Sequence, residues 1–234
     1  MTRRLMTTPA VLCLVALLAL EALPARADVQ WGMHLEGGGF TSGRLWRAEA
    51  GQSREWIVPD GSISYFGEQI TVEMESYMIG GGGVFMTSDA GWGLMGRLAF
   101  SAVDVDVLVR DGLDEVRTEA WDIYTLIDAQ LAGTWTFVPD APNSPYVLAG
   151  VGLTLLGSEG SAPDQSGPSV SLGGGWRFWS GGWFFDIEVR DTIVMLDFDD
   201  EEARIRQRVL LEDGFDAESS VHVIEANVRW GITF

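Results

Sequence analysis

The chain closes on His222-Val223-Ile224-Glu225-Ala226-Asn227-Val228-Arg229-Trp230-Gly231-Ile232-Thr233-Phe234, and this stretch decides the fold. In an extended strand successive side chains point to opposite faces. His222, Ile224, Ala226, Val228, Trp230, Ile232 and Phe234 therefore share one face, while Glu225, Asn227, Arg229, Gly231 and Thr233 share the other. The first face suits lipid and the second suits water.

The same alternation recurs upstream. Trp183, Phe185, Ile187 and Val189 alternate with Asp186, Glu188 and Arg190, and Val170, Leu172, Trp176 and Phe178 alternate with Ser171, Gly173, Gly175 and Arg177. Ser180-Gly181-Gly182 joins these two runs as a tight hairpin. Ile123, Ile127, Ala129, Leu131, Trp135 and Phe137 oppose Asp122, Tyr124, Asp128, Gln130, Thr134 and Thr136, and after a Pro-containing turn Val147, Ala149, Val151, Leu153 and Leu155 resume the pattern. Earlier strands are read at 92–100, at roughly 72–86 and at 29–40, which makes eight. Links near 87–91, 138–145 and 180–182 are short, whereas those near 41–70, 103–120, 157–167 and 196–220 are long. Short turns at one rim and long loops at the other are the pattern of an outer-membrane barrel. The expected fold is all-β, an eight-stranded antiparallel up-and-down transmembrane β-barrel spanning residues 28–234.

The start of the chain agrees with that destination. Arg3 and Arg4 precede an apolar run over residues 9–20, and Ala25-Arg26-Ala27 offers a small-x-small cleavage site, so residues 1–27 read as a signal peptide. Glu21 and Pro24 end the run too early for a membrane helix of about 20 residues. The only cysteine, Cys13, follows Leu12 inside the run, which suits neither lipid anchoring nor a disulfide in the mature chain. Cleavage removes three of the fifteen arginines and one of the thirty-four acidic residues and leaves a net charge of −21. A surface this acidic argues against nucleic acid as a partner.

With the N-terminus on the periplasmic side, Trp31, Trp92, Trp135, Trp176, Trp183 and Trp230 fall near one rim with Phe234, as an aromatic girdle would. The run ending in Trp230, Ile232 and Phe234, the strand Pro145-Tyr146-Val147-Leu148-Ala149-Gly150-Val151-Gly152 and the stretch Asp186-Ile187-Glu188-Val189-Arg190 together resemble the small outer-membrane β-barrel family that includes the OmpA transmembrane domain and OmpX. That resemblance implies that Trp230, Ile232 and Phe234 form the signal read by the barrel-assembly machinery, and that outer-membrane lipids and lipopolysaccharide surround the wall. The resemblance departs from OmpA after the barrel, so no peptidoglycan-binding domain is expected.

A soluble eight-stranded barrel such as a lipocalin has an apolar inside and a polar outside, and here the polarity is inverted. An arginine facing lipid at mid-depth costs about 2–4 kcal/mol, so Arg97, Glu188, Arg190, Glu225 and Arg229 are expected inside, with His34, Glu36, Asp128 and Gln130 as their partners in one polar network. Eight strands leave room for little beyond such side chains, so a filled interior is expected rather than an open pore. Past Ala102, Val103, Val105, Val107 and Val109 continue the inward row and Asp104 and Asp106 the outward one, as in strands projecting into water, with a turn at Asp111-Gly112 and Trp46, Trp56 and Tyr65 packing over it.

The last long loop carries Asp197, Asp199, Asp200, Glu201 and Glu202, then Arg204, Arg206 and Arg208, then Glu212 and Asp213. It lacks the spacing of a calcium loop and reads as a solvated charge run, whose arginines suit lipopolysaccharide phosphates. No metal or cofactor is expected. Catalysis is not expected either, because His34 has inward parity and His222 outward parity, and no serine stands beside either as a nucleophile. Two functional classes follow: a structural or surface-interaction protein serving envelope integrity or adhesion through an unidentified surface ligand, and a narrow channel or apolar-ligand conduit similar to OmpW-type barrels.

Overall fold

The computed structural model describes residues 28–57, 64–75, 77–118, 123–158, 165–196, 215–217 and 220–234. The signal-peptide reading and the acidic and arginine run of the last long loop lie outside these residues. Twelve strands are described: β1 (Val29–Thr41), β2 (Arg44–Ile57), β3 (Ser64–Met74), β4 (Tyr77–Ser88), β5 (Trp92–Asp111), β6 (Asp114–Thr118), β7 (Ile123–Thr136), β8 (Asn143–Ser158), β9 (Gln165–Ser180), β10 (Trp183–Val194), β11 (Phe215–Ala217) and β12 (Val221–Thr233).

Eight of them form a closed antiparallel ring in the order β1, β4, β5, β7, β8, β9, β10, β12. The ring is sealed by the chain ends, where β1 pairs with β12 from Gly32 opposite Thr233 to Thr41 opposite Ile224. Closure leaves no unpaired edge in the wall, which is the condition for a sheet to cross hydrocarbon. The tight turns rest on glycines in the left-handed region, Gly91 between β4 and β5 (φ 90°) and Gly181 between β9 and β10 (φ 62°).

The outer surface of this ring is apolar. Leu35, Leu172, Val189, Ile187 and Leu153 are each at least half exposed there, while the charged residues of alternate parity are buried inside. A soluble protein does not present such a continuous apolar belt to water, and the barrel is therefore a membrane-spanning one.

The remaining strands form a second sheet at the loop-bearing end. A tilted transmembrane strand needs about 9–11 residues, and β5 has 20. Its surplus, from Val105 to Asp111, pairs with β3 on one side and β6 on the other, while β2 joins β3 and β11 joins β2. The β5–β6 hairpin turns at Gly112 (φ 60°).

Three details differ from the sequence reading. The run at 72–86 is two strands, because β3 ends at Met74 in the projecting sheet and β4 starts at Tyr77 in the ring. A period-two pattern continues through such a handover and does not reveal it. The stretch at 41–70 is not a loop: β2 and β3 make a hairpin there, with register shifts between Arg44 and Trp46 and between Glu49 and Arg54 that hid its periodicity. Asp106 is buried rather than facing water, since β3 joins β5 at this height and sets Glu73 opposite it.

Candidate functional site

The interior is built in three layers, two made by the inward parity of the ring strands and the third shared with the second sheet. Nearest the chain ends lies a floor of Phe85, Met95, Ala132, Tyr146, Leu148 and Phe184, with Trp179 packed against it. Phe85 and Phe184 meet edge to face at 4.8 Å. Arg177 is set among these rings, its guanidinium 4.8 Å from the Phe184 centroid and 5.1 Å from that of Tyr146. It forks onto Asp186 with two bonds of 2.8 Å.

Above the floor is the charged layer, which brings all nine sequence-predicted interior residues together in the buried lumen: His34, Glu36, Arg97, Asp128, Gln130, Glu188, Arg190, Glu225 and Arg229. Arg97 on β5 is its centre. It donates to Glu36, to Asp128 at 2.9 Å and to Glu225 at 2.5 Å, so strands β1, β7 and β12 converge on one guanidinium. Thr154 donates to the other Asp128 oxygen at 2.9 Å, and the Asn227 amide donates to Glu225 at 2.8 Å.

Arg190 forms the second knot, donating to Glu188 at 2.8 Å and to Gln130 at 2.8 Å. Arg229 donates to Glu188 and to the Tyr146 hydroxyl, and lies 3.5 Å from Asp186. Tyr146 in turn donates to Glu188 at 2.7 Å. Arg177, Asp186, Tyr146 and Asn227 belong to the layer and were absent from the predicted set. Their parity is the inward one throughout, so alternation alone identifies them.

Over the charges lies an apolar plug of Phe40, Ile70, Val72, Val103, Val107 and Leu126, together with neighbours from β2, β8, β10 and β12 and with Trp46 packed against it. Residues of the second sheet pack with the valines of β5 at the mouth away from the chain ends, which is why those valines are core and not the lining of an open passage. Trp56 and Tyr65, predicted to pack over the same region, have side chains outside the described set. The lumen is thus occupied by its own side chains, of which Arg190, Arg229, Tyr146, Glu188 and Glu225 are fully buried.

On the outside, Trp31, Trp135, Trp176, Trp183 and Trp230 are about half exposed, and Trp183 stacks on Trp230 at 4.8 Å and 13°. Trp92 is half-buried and pairs in register with Trp135. Trp176 lies deeper in the wall, opposite Ile187 and Pro145. Ile232 is half-buried, and Phe234 is exposed, with its amide donating to the Trp31 carbonyl at 2.9 Å. The two histidines lie on opposite sides of the wall: His34 is buried within, and His222 is outside, 3.0 Å from Asp191.

The far end of the second sheet is the other candidate surface. Among the described residues β6 pairs with β5 alone, so its second edge carries free backbone donors and acceptors. Leu113 in the β5–β6 turn and Val116 on β6 are exposed there, and Phe66 is exposed on β3, across β5 from β6.

No family model matches the chain, and no curated protein matches it. Among solved structures it is similar to Neisserial surface protein A (9% identity, 88% of this chain and 99% of that one, TM-score 0.41). It is likewise similar to the outer membrane protein OprG from Pseudomonas aeruginosa (16%, 87% and 95%, TM-score 0.43) and to the outer membrane protein AlkL (13%, 91% and 95%, TM-score 0.43). At such identities and TM-scores these likenesses carry nothing about function. What the strands' own pairing and polarity establish is that the chain has the fold of the small eight-stranded outer-membrane β-barrels.

Proposed function

We propose that this is an outer-membrane surface protein whose filled barrel anchors the projecting sheet as an interaction surface, in the service of envelope integrity or adhesion. The observation that carries this reading is the combination of a sealed lumen with a folded second sheet, whose β6 edge and apolar Phe66, Leu113 and Val116 face outward. A lumen filled by ionic and apolar layers weighs against the narrow channel or apolar-ligand conduit. An exposed edge strand with apolar side chains is normally suppressed in soluble proteins, and its retention here is the mark of a surface that meets something.

The same reading sets the protein's direction. Cleavage after Ala27 leaves a chain that starts near the rim of short turns. Trp31, Trp92, Trp135, Trp176, Trp183 and Trp230 form the periplasmic girdle, and Trp230, Ile232 and Phe234 present the assembly signal. Lipopolysaccharide surrounds the outer half of the wall. No residue of the charged layer is assigned a chemical role, and its function is structural.

The test is a strain carrying the barrel with Phe66, Leu113 and Val116 replaced by serine. The barrel should still show heat-modifiable migration in outer-membrane fractions, while adhesion or envelope-integrity phenotypes are lost. Retention of every phenotype removes the surface-interaction reading. Steady conductance of the native protein in planar bilayers would favour the channel instead.

A further inference from the structure

The sequence of β6, Asp114-Glu115-Val116-Arg117-Thr118, is self-complementary as an edge. Among the described residues β6 pairs with β5 alone, from Asp111 opposite Asp114 to Val107 opposite Thr118. Gly112 and Leu113 alone separate the two strands, and φ is positive at Gly112 and not at Leu113. This is the signature of a type II′ hairpin turn, in which the Asp111 carbonyl accepts from the Asp114 amide and the two flanking residues form a hydrogen-bonded pair. Hydrogen-bonded and non-bonded pairs alternate along an antiparallel ladder. Asp114, Val116 and Thr118 therefore turn their backbone groups toward β5, and Glu115 and Arg117 turn theirs to the open side.

That alternation restricts how another strand can add. An antiparallel partner exchanges backbone bonds through residues 115 and 117, so a second copy of β6 has three registers open to it. One sets Glu115 opposite Glu115 and another sets Arg117 opposite Arg117, which opposes like charges. The third sets Glu115 opposite Arg117 twice, on either side of Val116 opposite Val116, and it alone pairs all five residues. Opposite charges directly across a strand pair stabilise it and like charges destabilise it, so the third register is selected. Its two-fold axis passes at Val116, which is 58% exposed.

The direction of such a pair follows from β5. This strand runs unbroken from the ring, where it pairs with β7 as far as Asp104, into the second sheet, where residues 107–111 pair with β6. β6 thus lies along the extension of a wall strand. The two-fold axis that relates two antiparallel strands is perpendicular to their sheet and reverses the strand direction, so it reverses the barrel as well. We propose that the β6 edge binds the β6 edge of a second copy in a facing outer membrane, in the register that sets Glu115 opposite Arg117, and so joins one membrane to another. The proposal rests on the reading of the second sheet as an interaction surface and names its partner. Each contact is small, with its ion pairs in solvent worth little, and many copies on each membrane supply the strength.

The test is clustering of zwitterionic vesicles that carry the full chain purified from outer membranes, followed by turbidity in about 0.15 M salt, which screens the acidic surfaces. Vesicles of the native protein should cluster and empty vesicles should not. Glu115→Pro removes an outward N–H without touching a bond to β5; it should abolish clustering while heat-modifiable migration is kept. Glu115→Arg opposes two positive charges and Arg117→Glu two negative ones, so each alone should lose clustering. Vesicles of the one mixed with vesicles of the other should regain it, because opposite charges then meet in the same register. This exchange decides the matter should Glu115→Pro not fold. Native vesicles that stay dispersed overturn the proposal, and leave the surface-interaction reading to its own strain phenotypes. Clustering that survives Glu115→Pro in folded protein overturns it too, since another surface is then responsible, as does a mixture of the two charge variants that stays dispersed.

Discussion

Replacing Arg97 with methionine keeps the length and apolar stem of the side chain and removes its guanidinium. Three carboxylates then lose the guanidinium to which they all bond: Glu36, Asp128 and Glu225, each with a side chain at most 3% exposed. Removing one partner of a single buried pair costs about 3–5 kcal/mol. Here one guanidinium serves three acids, and like charges are left adjacent, so the loss belongs at the upper end, about 5 kcal/mol. A folded domain has only about 5–15 kcal/mol in total, and Arg97→Met should unfold at far lower urea in vesicles, followed by tryptophan fluorescence. Adding Glu36→Gln and Glu225→Gln to the same chain should return more than half of the loss, because the repulsion goes with the charges. A loss below about 1 kcal/mol, the value of a solvated ion pair, would mean that water reaches the charged layer and would refute the dry, filled lumen.

Further outcomes follow from the wall and the rim. Leu172→Arg places a charge on the lipid-facing side of β9 and should cost about 2–4 kcal/mol in vesicle unfolding, whereas Leu113→Arg at the fully exposed tip of the β5–β6 hairpin should stay within about 0.5 kcal/mol. Gly83→Val should be poorly tolerated, since a Cβ there meets the Gly96 carbonyl and the His34 ring; the expected overpacking cost is about 1–3 kcal/mol in the same unfolding measurement. The Trp183–Trp230 stack should show a coupling of about 0.5–1.5 kcal/mol in a double-mutant cycle to alanine.

Much of this architecture is legible in the chain because a membrane barrel obeys one rule along every strand. Lipid outside and side chains inside force a strict period of two, and that period assigns Glu188, Arg190, Glu225 and Arg229 to the lumen from parity alone. Parity states the side of the wall but not the height or the partner. It therefore put Arg177 and Asp186 on the inward face without pairing them, because that pairing depends on β9 and β10 being adjacent in register, and it could not say that three acids meet on Arg97. The second sheet was hidden for a different reason. Register shifts in β2 broke its alternation, and the passage from β3 to β4 preserved it, so a hairpin read as a loop and a handover read as one strand.

The sequence by itself thus determined the all-β class, the ring of eight and the inside and outside of each ring strand, since these depend on local alternation and on turn residues such as Gly91 and Gly181. Only the tertiary structure decided that the valines of β5 are packed under a folded sheet, that among the described residues β6 pairs with β5 alone, and that three acids meet on one guanidinium. Those facts depend on which strands lie side by side and at what height, and closure of the ring through β1 and β12 sets both by joining residues some two hundred positions apart.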